Sequence, residues 1–373
     1  MTNNRPDLPK TMRAIVCHGP QDYRLERLPV PSPGHGEVLT RIRYAGICAS
    51  DLKCYLGAPM FWGTGQAPGG YCQPPITAGH EFIAEVVSLG EGAGLKYGFE
   101  IGDRVISEQI VPCRQCRFCR NGQHWMCDIN DVYGFRQNTP GAWADYMLFP
   151  ANAINYKVPD TIPLDHATFI EPLACAIHAV QQGNIQLDDT VVIAGCGPLG
   201  LGMVAAARLK GAARIIAVDL HDDRLAAARK VGADIGLNPG KCDVVAEVKG
   251  VTEGYGCDVY IEATGSPSGV TQGLEMVRKL GTFVEFSVFT QSASVDWTII
   301  GDRKELTIKG SHLSPHCYPI AIRMLEQQLL PMEEIMTHRI SLEDFKSGIQ
   351  MVKDGASSVK VIFDLTLGAQ QIR

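Results

Sequence analysis

"VVIAGCGPLG", Val191 to Gly200, sets Gly195, Gly197 and Gly200 in a G-x-G-x-x-G spacing directly after an apolar strand. The helix-like segment LGMVAAARLKGA begins at once. Glycines so spaced permit a tight turn and a close approach of backbone to a pyrophosphate, which the N-terminus of the following helix attracts. The next strand, RIIAVDL, ends near Asp219, 24 residues after Gly195, where a carboxylate accepts from a ribose 2′-hydroxyl. Strand, helix and acid agree, and together they specify a dinucleotide site. The same carboxylate would repel a 2′-phosphate, so NAD is expected over NADP. Arg224 stands on the next helix-like stretch, RLAAARKVGA. It either covers the adenine or is a solvated helix-face residue; spacing alone does not choose.

Outward from this motif the strand and helix signals keep alternating, with further strands expected at DVYIEA (Asp258 to Ala263) and TFVEFSV (Thr282 to Val288). That alternation reads as a parallel α/β domain. The first ~150 residues differ, with short alternating segments such as VLTRIRYA (Val38 to Ala45) and GDRVI (Gly102 to Ile106) broken by Gly and Pro, which reads as β-rich. The last ~60 hold two helix candidates. In the second, Leu342, Phe345, Ile349 and Val352 share a face, and Ser341 with Asp344 resembles a capping box. At 373 residues the chain is expected to form two domains.

Composition excludes several classes. Hydrophobic residues at 45% and charged residues at 20% are ordinary for a globular protein. A net charge of -6 with Lys and Arg dispersed offers no basic face to nucleic acid. There is no apolar run long enough to span a bilayer and no secretory h-region in MTNNRPDLPK, so a cytoplasmic protein without a membrane partner is expected. The 13 cysteines then read as thiols and metal ligands instead of a disulfide framework.

Four of them, Cys113, Cys116, Cys119 and Cys127, follow C-x2-C-x2-C-x7-C. Two-residue gaps let a turn aim successive sulfurs at one point at ~2.3 Å, and four thiolates close a tetrahedron around zinc with no position left for a reactant. An iron-sulfur cluster is disfavoured by the fourth spacing and the lack of a following Pro. A structural zinc is expected here, and the chemistry elsewhere. "GICASD" (Gly46 to Asp51) and "AGHEF" (Ala78 to Phe82) supply the Cys48 thiolate and the His80 imidazole; Glu81, or the distant Glu171 in "EPLACAIHA", supplies a carboxylate. These are the ligand types of a catalytic zinc with one open position.

Through GICASD, AGHEF, GDRV, the four-cysteine lobe, EPLACAIHA, GCGPLG with Asp219, and THRISLEDF, the chain resembles the zinc-dependent medium-chain alcohol and polyol dehydrogenases along nearly its whole length. The resemblance implies a GroES-like β-rich catalytic domain over 1–168, with its zinc lobe at 108–130, completed by 313–373. It implies a Rossmann doubly wound domain over 169–312, contacting NAD through Gly195, Gly197, Pro198, Leu199, Gly200, Asp219, Arg224 and Thr264. Two zinc ions per chain follow, one catalytic at Cys48, His80 and Glu81 with Glu171 as ligand or holder of water, and one structural. Ser50 is implied as the receiver of the substrate proton and Asp51 as the carboxylate that orients His80. Lys53 stands where many relatives have a relay histidine. A neutral site of Zn²⁺, thiolate, imidazole and one carboxylate favours an alkoxide, so only one of Glu81 and Glu171 is expected to bind directly.

For substrate, the stretch Cys54 to Ile76 is longer than in sorbitol enzymes; its Gly and Pro make it a loop, and its Tyr55, Phe61, Trp62 and Tyr71 are bulky enough to roof a pocket, the alternative being a subunit contact or a surface insertion. Leu313 and Ser314 replace an expected Arg-Tyr pair; His312 and His316 are either substrate contacts or interdomain polar residues. The texture is similar to bacterial erythritol/threitol dehydrogenases, which implies a four-carbon polyol oxidised to a ketose. Butanediol, threonine and longer-polyol dehydrogenases are the alternatives. A nucleotide-binding structural protein that has lost its metal is opposed by the intact Cys48, His80 and Glu81. Resemblance also implies a homotetramer or homodimer, with sheet edges such as TFVEFSV at the contact.

Overall fold

A computed structural model describes residues 8–63, 70–355 and 358–367. The chain divides into two compact units. One holds the described residues of Met1–Glu171, Tyr318–Gln327 and Met336–Arg373; the other holds Pro172–Cys317 and Gln328–Ile335.

The first unit is β-rich. Its N-terminal part contributes β1 (Thr11–Gly19), β2 (Asp22–Pro29), β3 (Val38–Gly46), β4 (Ile76–Thr77), β5 (Phe82–Leu89), β6 (Arg104–Ser107), β7 (Ile110–Val111), β8 (Asp131–Val132), β9 (Tyr146–Phe149) and β10 (Asn155–Lys157). β2, β1 and β4 form one sheet; β10, β6, β5 and β3 run side by side in a second, in which β9 also pairs β3. β3 and β5 are the pivot: FIAEVVSL of β5 is buried at six of its eight positions, as a strand covered on both faces must be.

The second unit is a parallel sheet of β11 (Thr190–Ala194), β12 (Arg214–Val218), β13 (Ile235–Leu237), β14 (Cys257–Glu262), β15 (Val277–Glu285) and β16 (Thr307–Gly310), in the order β13-β12-β11-β14-β15-β16. This is the Rossmann order, which reverses direction beside β11. All five residues of β11 are buried. Its glycine turn therefore sits at the carboxyl end of a central strand, where open α/β sheets bind ligands.

The chain then returns to the first unit. β17 (His338–Ile340) lies parallel to β18 (Val361–Asp364), and β18 pairs antiparallel with β3, setting Ile362 opposite Gly46 and Phe363 opposite Ala45. The tail thus runs beside the end of the strand that leads into Cys48.

Three expectations are corrected. TFVEFSV is not at a sheet edge: β15 lies between β14 and β16, and the edges are β13 and β16. β16 was missed because TIKG is short and mostly exposed, so it carries no periodic signal. Ser341 does not cap backbone; its hydroxyl donates to the Asp344 carboxylate at 2.7 Å, a 3-10 turn spans Leu342–Asp344, and the helix starts at Phe345. The stretch from Cys54 to Ile76 is not all loop, since Pro59–Trp62 is a short helix; residues 64–69 lie outside the described residues. No helix among the described residues is long and apolar enough to cross a membrane.

The turns that carry the candidate ligands are held by the fully buried Trp143. Its indole Nε1 donates to Gly46 O at 2.9 Å and its backbone N–H to Ala78 O at 2.9 Å. Gly79 sits at φ +91°, and a Cβ there would stand 2.1 Å from Trp143 Cδ1. Side chains are excluded twice, by backbone conformation and by space. Gly79→Ala should therefore destabilise the first unit by roughly 2–4 kcal/mol, read as a lowered midpoint in chemical denaturation followed by tryptophan fluorescence.

Candidate metal centre and dinucleotide site

Cys48 is the N-cap of the helix Ala49–Tyr55, with an extended backbone that ends β3 and turns into the helix. Asp51, one turn on, accepts the Cys48 backbone N–H at 2.9 Å with one oxygen and faces His80 Nδ1 at 3.3 Å with the other. Asp51 is buried and joins the two motifs. Cys48 Sγ, a His80 ring nitrogen and a Glu81 carboxylate oxygen lie within 4.8 Å of one another. Ser50 Oγ is 3.4 Å from His80 Nε2. Burial works to lower the His80 pKa, but the Asp51 carboxylate and the Cys48 sulfur beside the ring carry it well above the ordinary value. Nδ1 is buried without a well-aligned hydrogen bond. Thiolate, imidazole and carboxylate converge here with an incompletely satisfied ring, a donor set that fits a divalent zinc.

Glu81 has a partner that sequence reasoning missed. Lys360, immediately before β18, is 2% exposed; its ammonium is ion-paired with the Glu81 carboxylate, itself 1% exposed, and donates to Ile47 O at 3.1 Å. Burial disfavours its charge, but Glu81, Cys48 and Glu171 raise its pKa above that of an ordinary lysine, so it stays an ammonium. A Cβ on Gly46 would be 2.1 Å from Glu81 Oε2, so the glycine of GICASD leaves room for this carboxylate. Glu171 opens the helix Ile170–Gln182 and is not in the group of mutually close ligand atoms. Its Oε1 accepts from Gln109 Nε2 at 2.7 Å, and Gln109 Oε1 accepts from Tyr318 OH at 3.1 Å. The Tyr318 ring stacks on Tyr156, 5.6 Å between centroids, whose hydroxyl donates to Glu108; Glu108 in turn meets His124 inside the four-cysteine lobe at 2.8 Å.

Aromatic residues line the other side of His80. Phe135 lies 5.4 Å from the imidazole, and Phe61 stacks on Phe135 at 5.1 Å with Tyr71 alongside. Phe61 and Tyr71 thus come from the expected stretch, whereas Phe135 lay outside it. Tyr55 packs edge-on against Tyr23, and Trp62 donates to Cys54 O. Lys53 is half-buried in the last turn of the helix Ala49–Tyr55.

Cys113, Cys116, Cys119 and Cys127 also bring their sulfurs within 4.8 Å of one another. Backbone amides point at them: Cys116 N donates to Cys113 Sγ at 3.3 Å, Cys119 N to Cys116 Sγ at 3.4 Å, and Cys113 N to Cys127 Sγ at 3.3 Å. The amides of Cys119 and Asp128 draw Cys116 down to about 6, while burial and then the Cys116 sulfur push Cys119 up to about 12. Four sulfurs this close do not ionise together without a cation. The donor chemistry fits a closed zinc site.

In the second unit each motif glycine has its own reason. Gly195 has φ +96°, and a Cβ there would meet Ala263 O at 2.6 Å; one on Gly200 would meet Gly195 O at 1.8 Å. Above Gly197, the N-cap of the helix Pro198–Lys210, a Cβ would meet nothing within 4 Å, which leaves that face open to a phosphate. Pro198 and Leu199 are the first residues of this helix. Asp219 follows β12 and accepts from Cys196 N at 2.8 Å and His221 N at 2.9 Å, so its carboxylate is held beside the glycine turn. Arg224 is on the helix Asp222–Val231. Thr264 donates to the buried Glu262 through its N–H, at 2.8 Å, and its hydroxyl. His312 and His316 face His178, whose pKa falls to about 4 through burial and their charge.

Two family models match the chain: an alcohol dehydrogenase GroES-like domain over residues 34–160 and a zinc-binding dehydrogenase over 198–327. The erythritol/L-threitol dehydrogenase of Mycolicibacterium smegmatis is 51% identical over 95% of this chain and 98% of its own. An L-threonine 3-dehydrogenase of Pyrococcus horikoshii is 35% identical over 91% of this chain and 94% of its own. Among solved structures, an alcohol dehydrogenase of Escherichia coli CFT073 complexed with NADH superposes with a TM-score of 0.84 at 26% identity, covering 96% of this chain and all of that one. A donor set that suits zinc, a Rossmann sheet with its glycine turn, and matches of this extent place the chain in the zinc-dependent medium-chain alcohol dehydrogenase family.

Proposed function

We propose that this dehydrogenase oxidises a secondary alcohol of a short polyol, erythritol or threitol to erythrulose, with NAD as hydride acceptor. The observation that carries the reading is the Cys48–His80–Glu81 donor set in a chain 51% identical to an erythritol/L-threitol dehydrogenase. Preference for NAD rests on Asp219, whose carboxylate repels a 2′-phosphate. The catalytic domain is taken as 1–168 with 313–373 and the NAD domain as 169–312. The enzyme works in the cytoplasm as a homodimer or homotetramer.

Cys48, His80 and Glu81 hold the catalytic zinc, and Cys113, Cys116, Cys119 and Cys127 the structural one. The catalytic ion, when bound, supplies a Lewis acid that lowers the pKa of the substrate hydroxyl. Everything else is done by the chain. Asp51 fixes the orientation of His80. Ser50 receives the hydroxyl proton, supported by its position 3.4 Å from His80 Nε2. Phe61, Tyr71 and Phe135 cover one face of the histidine with apolar surface that excludes water. Gln109 and Tyr318 hold Glu171 in a fixed hydrogen bond, which suits a carboxylate acting through water.

Lys360 alters the charge argument made from sequence. Its ammonium offsets one of the two carboxylates, so a thiolate, both carboxylates and Lys360 together balance a divalent cation. Glu171 would therefore add no net negative charge to a site holding a divalent ion, and the ammonium restrains Glu81.

The substrate assignment is tested by a panel of three- to six-carbon polyols assayed for NADH formation; highest kcat/KM on a four-carbon polyol is expected, and on L-threonine or 2,3-butanediol would reject it. Cys48→Ser should lower zinc from two ions to one per chain by metal analysis and abolish turnover while NADH fluorescence titration is unchanged. Cys116→Ser should instead lower thermal stability. Lys360→Met leaves Glu81 buried and unpaired, so the zinc-free protein should lose about 3–5 kcal/mol of stability, much of it recovered in Glu81→Gln/Lys360→Met. Equal denaturation midpoints for the single and double variants would contradict the pairing.

A further inference from the structure

In the first unit, β1, β2 and β3 border an open pocket of about 440 Å³ lined by Arg13, Arg27, Arg41 and Arg43 with Asp145 and Tyr146. Strand register creates it. Arg13 of β1 is directly opposite Arg27 of β2. Arg41 and Arg43 are two residues apart on β3, and both line the pocket. Like charges set opposite one another across a strand pair are destabilising, and two more guanidiniums on β3 of the second sheet add to the repulsion.

The protein's own carboxylates answer only part of this charge. Arg13, 4% exposed, is fully engaged: its guanidinium reaches Asp145 at 2.7 Å and Glu343 at 2.8 Å and donates to Leu365 O and Leu367 O. Arg43 meets Glu85 at 3.3 Å through Nη1, but its buried Nε has no hydrogen-bond partner. Arg41 donates to Tyr146 OH at 3.3 Å and lies over that ring, with no carboxylate partner among the described residues. Arg27 is exposed, and its side chain makes no hydrogen bond or ion pair among the described residues. Two unmatched guanidiniums and one orphaned N–H therefore surround a concavity of metabolite size. The arrangement stands out in a chain whose net charge is -6.

We propose that this pocket binds a small anion carrying two phosphate or carboxylate groups, gripped by Arg27, Arg41 and Arg43, with the Arg13–Asp145 pair as its rigid floor. Guanidinium is the fitting donor: its planar fork matches both oxyanions with paired hydrogen bonds. A single phosphate would meet only part of the donor set. A two-headed anion can span from β2 to β3.

The test is isothermal titration of the zinc-loaded full chain with fructose 1,6-bisphosphate and, separately, inorganic phosphate, at constant ionic strength. One saturable site per chain is expected, tighter for the bisphosphate. Arg27→Gln and Arg41→Gln should each weaken it about tenfold or more, with polyol turnover in anion-free buffer unchanged. Arg27 is exposed, so Arg27→Gln serves even if the Arg41 variant folds poorly. Absence of saturable heat at millimolar bisphosphate overturns the proposal, as does a site whose affinity is the same in Arg27→Gln, which would place the anion elsewhere.

Discussion

The buried pair between Glu81 and Lys360 is the constraint on which the metal centre depends. Both groups are removed from water, where each would otherwise be solvated at low cost, and desolvating two ions is repaid only by close contact and further hydrogen bonds. The structure supplies these: Lys360 also donates to Ile47 O, Gly46 leaves space for the carboxylate, and Trp143 holds Gly46. A lysine from one end of the chain thus sets the charge beside a thiolate and an imidazole from the other. Remove it, and two carboxylates and a thiolate carry one more negative charge than a divalent cation balances.

Around this pair the first unit is organised as a set of positioned hydrogen bonds. Asp51 ties the Cys48 turn to His80, and Gln109 with Tyr318 holds Glu171. The path from Glu171 through Gln109 and Tyr318 to Tyr156, Glu108 and His124 ends in the four-cysteine lobe. The four-cysteine lobe is thereby joined to Glu171 by hydrogen bonds and one ring stack.

What was legible in the sequence is what short-range spacing encodes. Gly195, Gly197 and Gly200 have local steric reasons that any chain making this turn must satisfy, and the four cysteines lie within fifteen residues of one another. Cys48, His80 and Glu81 were readable because two short motifs carry them. Lys360 was not: alone in SSVKVIF it looks like any lysine, and only the pairing of β18 with β3 brings it to Glu81. Gln109 and Phe135 were missed for the same reason. Arg13, Arg27 and the Arg41–Arg43 pair come from three different strands, and their convergence follows from strand placement, which single-sequence reading does not supply. The misplaced edge at TFVEFSV shows the limit from the other side, since an exposed, polar four-residue strand outside it left no pattern to detect.

The pairing of β18 with β3 also orders events in time. Lys360 and Ile47 are 313 positions apart, so when the ribosome has made the strand that leads into Cys48, the partner that completes its surroundings does not yet exist. The parallel sheet of the second unit, whose strands pair within one continuous stretch, can fold during that interval. Until translation passes residue 360, the nascent Glu81 lacks its ammonium and β3 the strand that pairs beside its end.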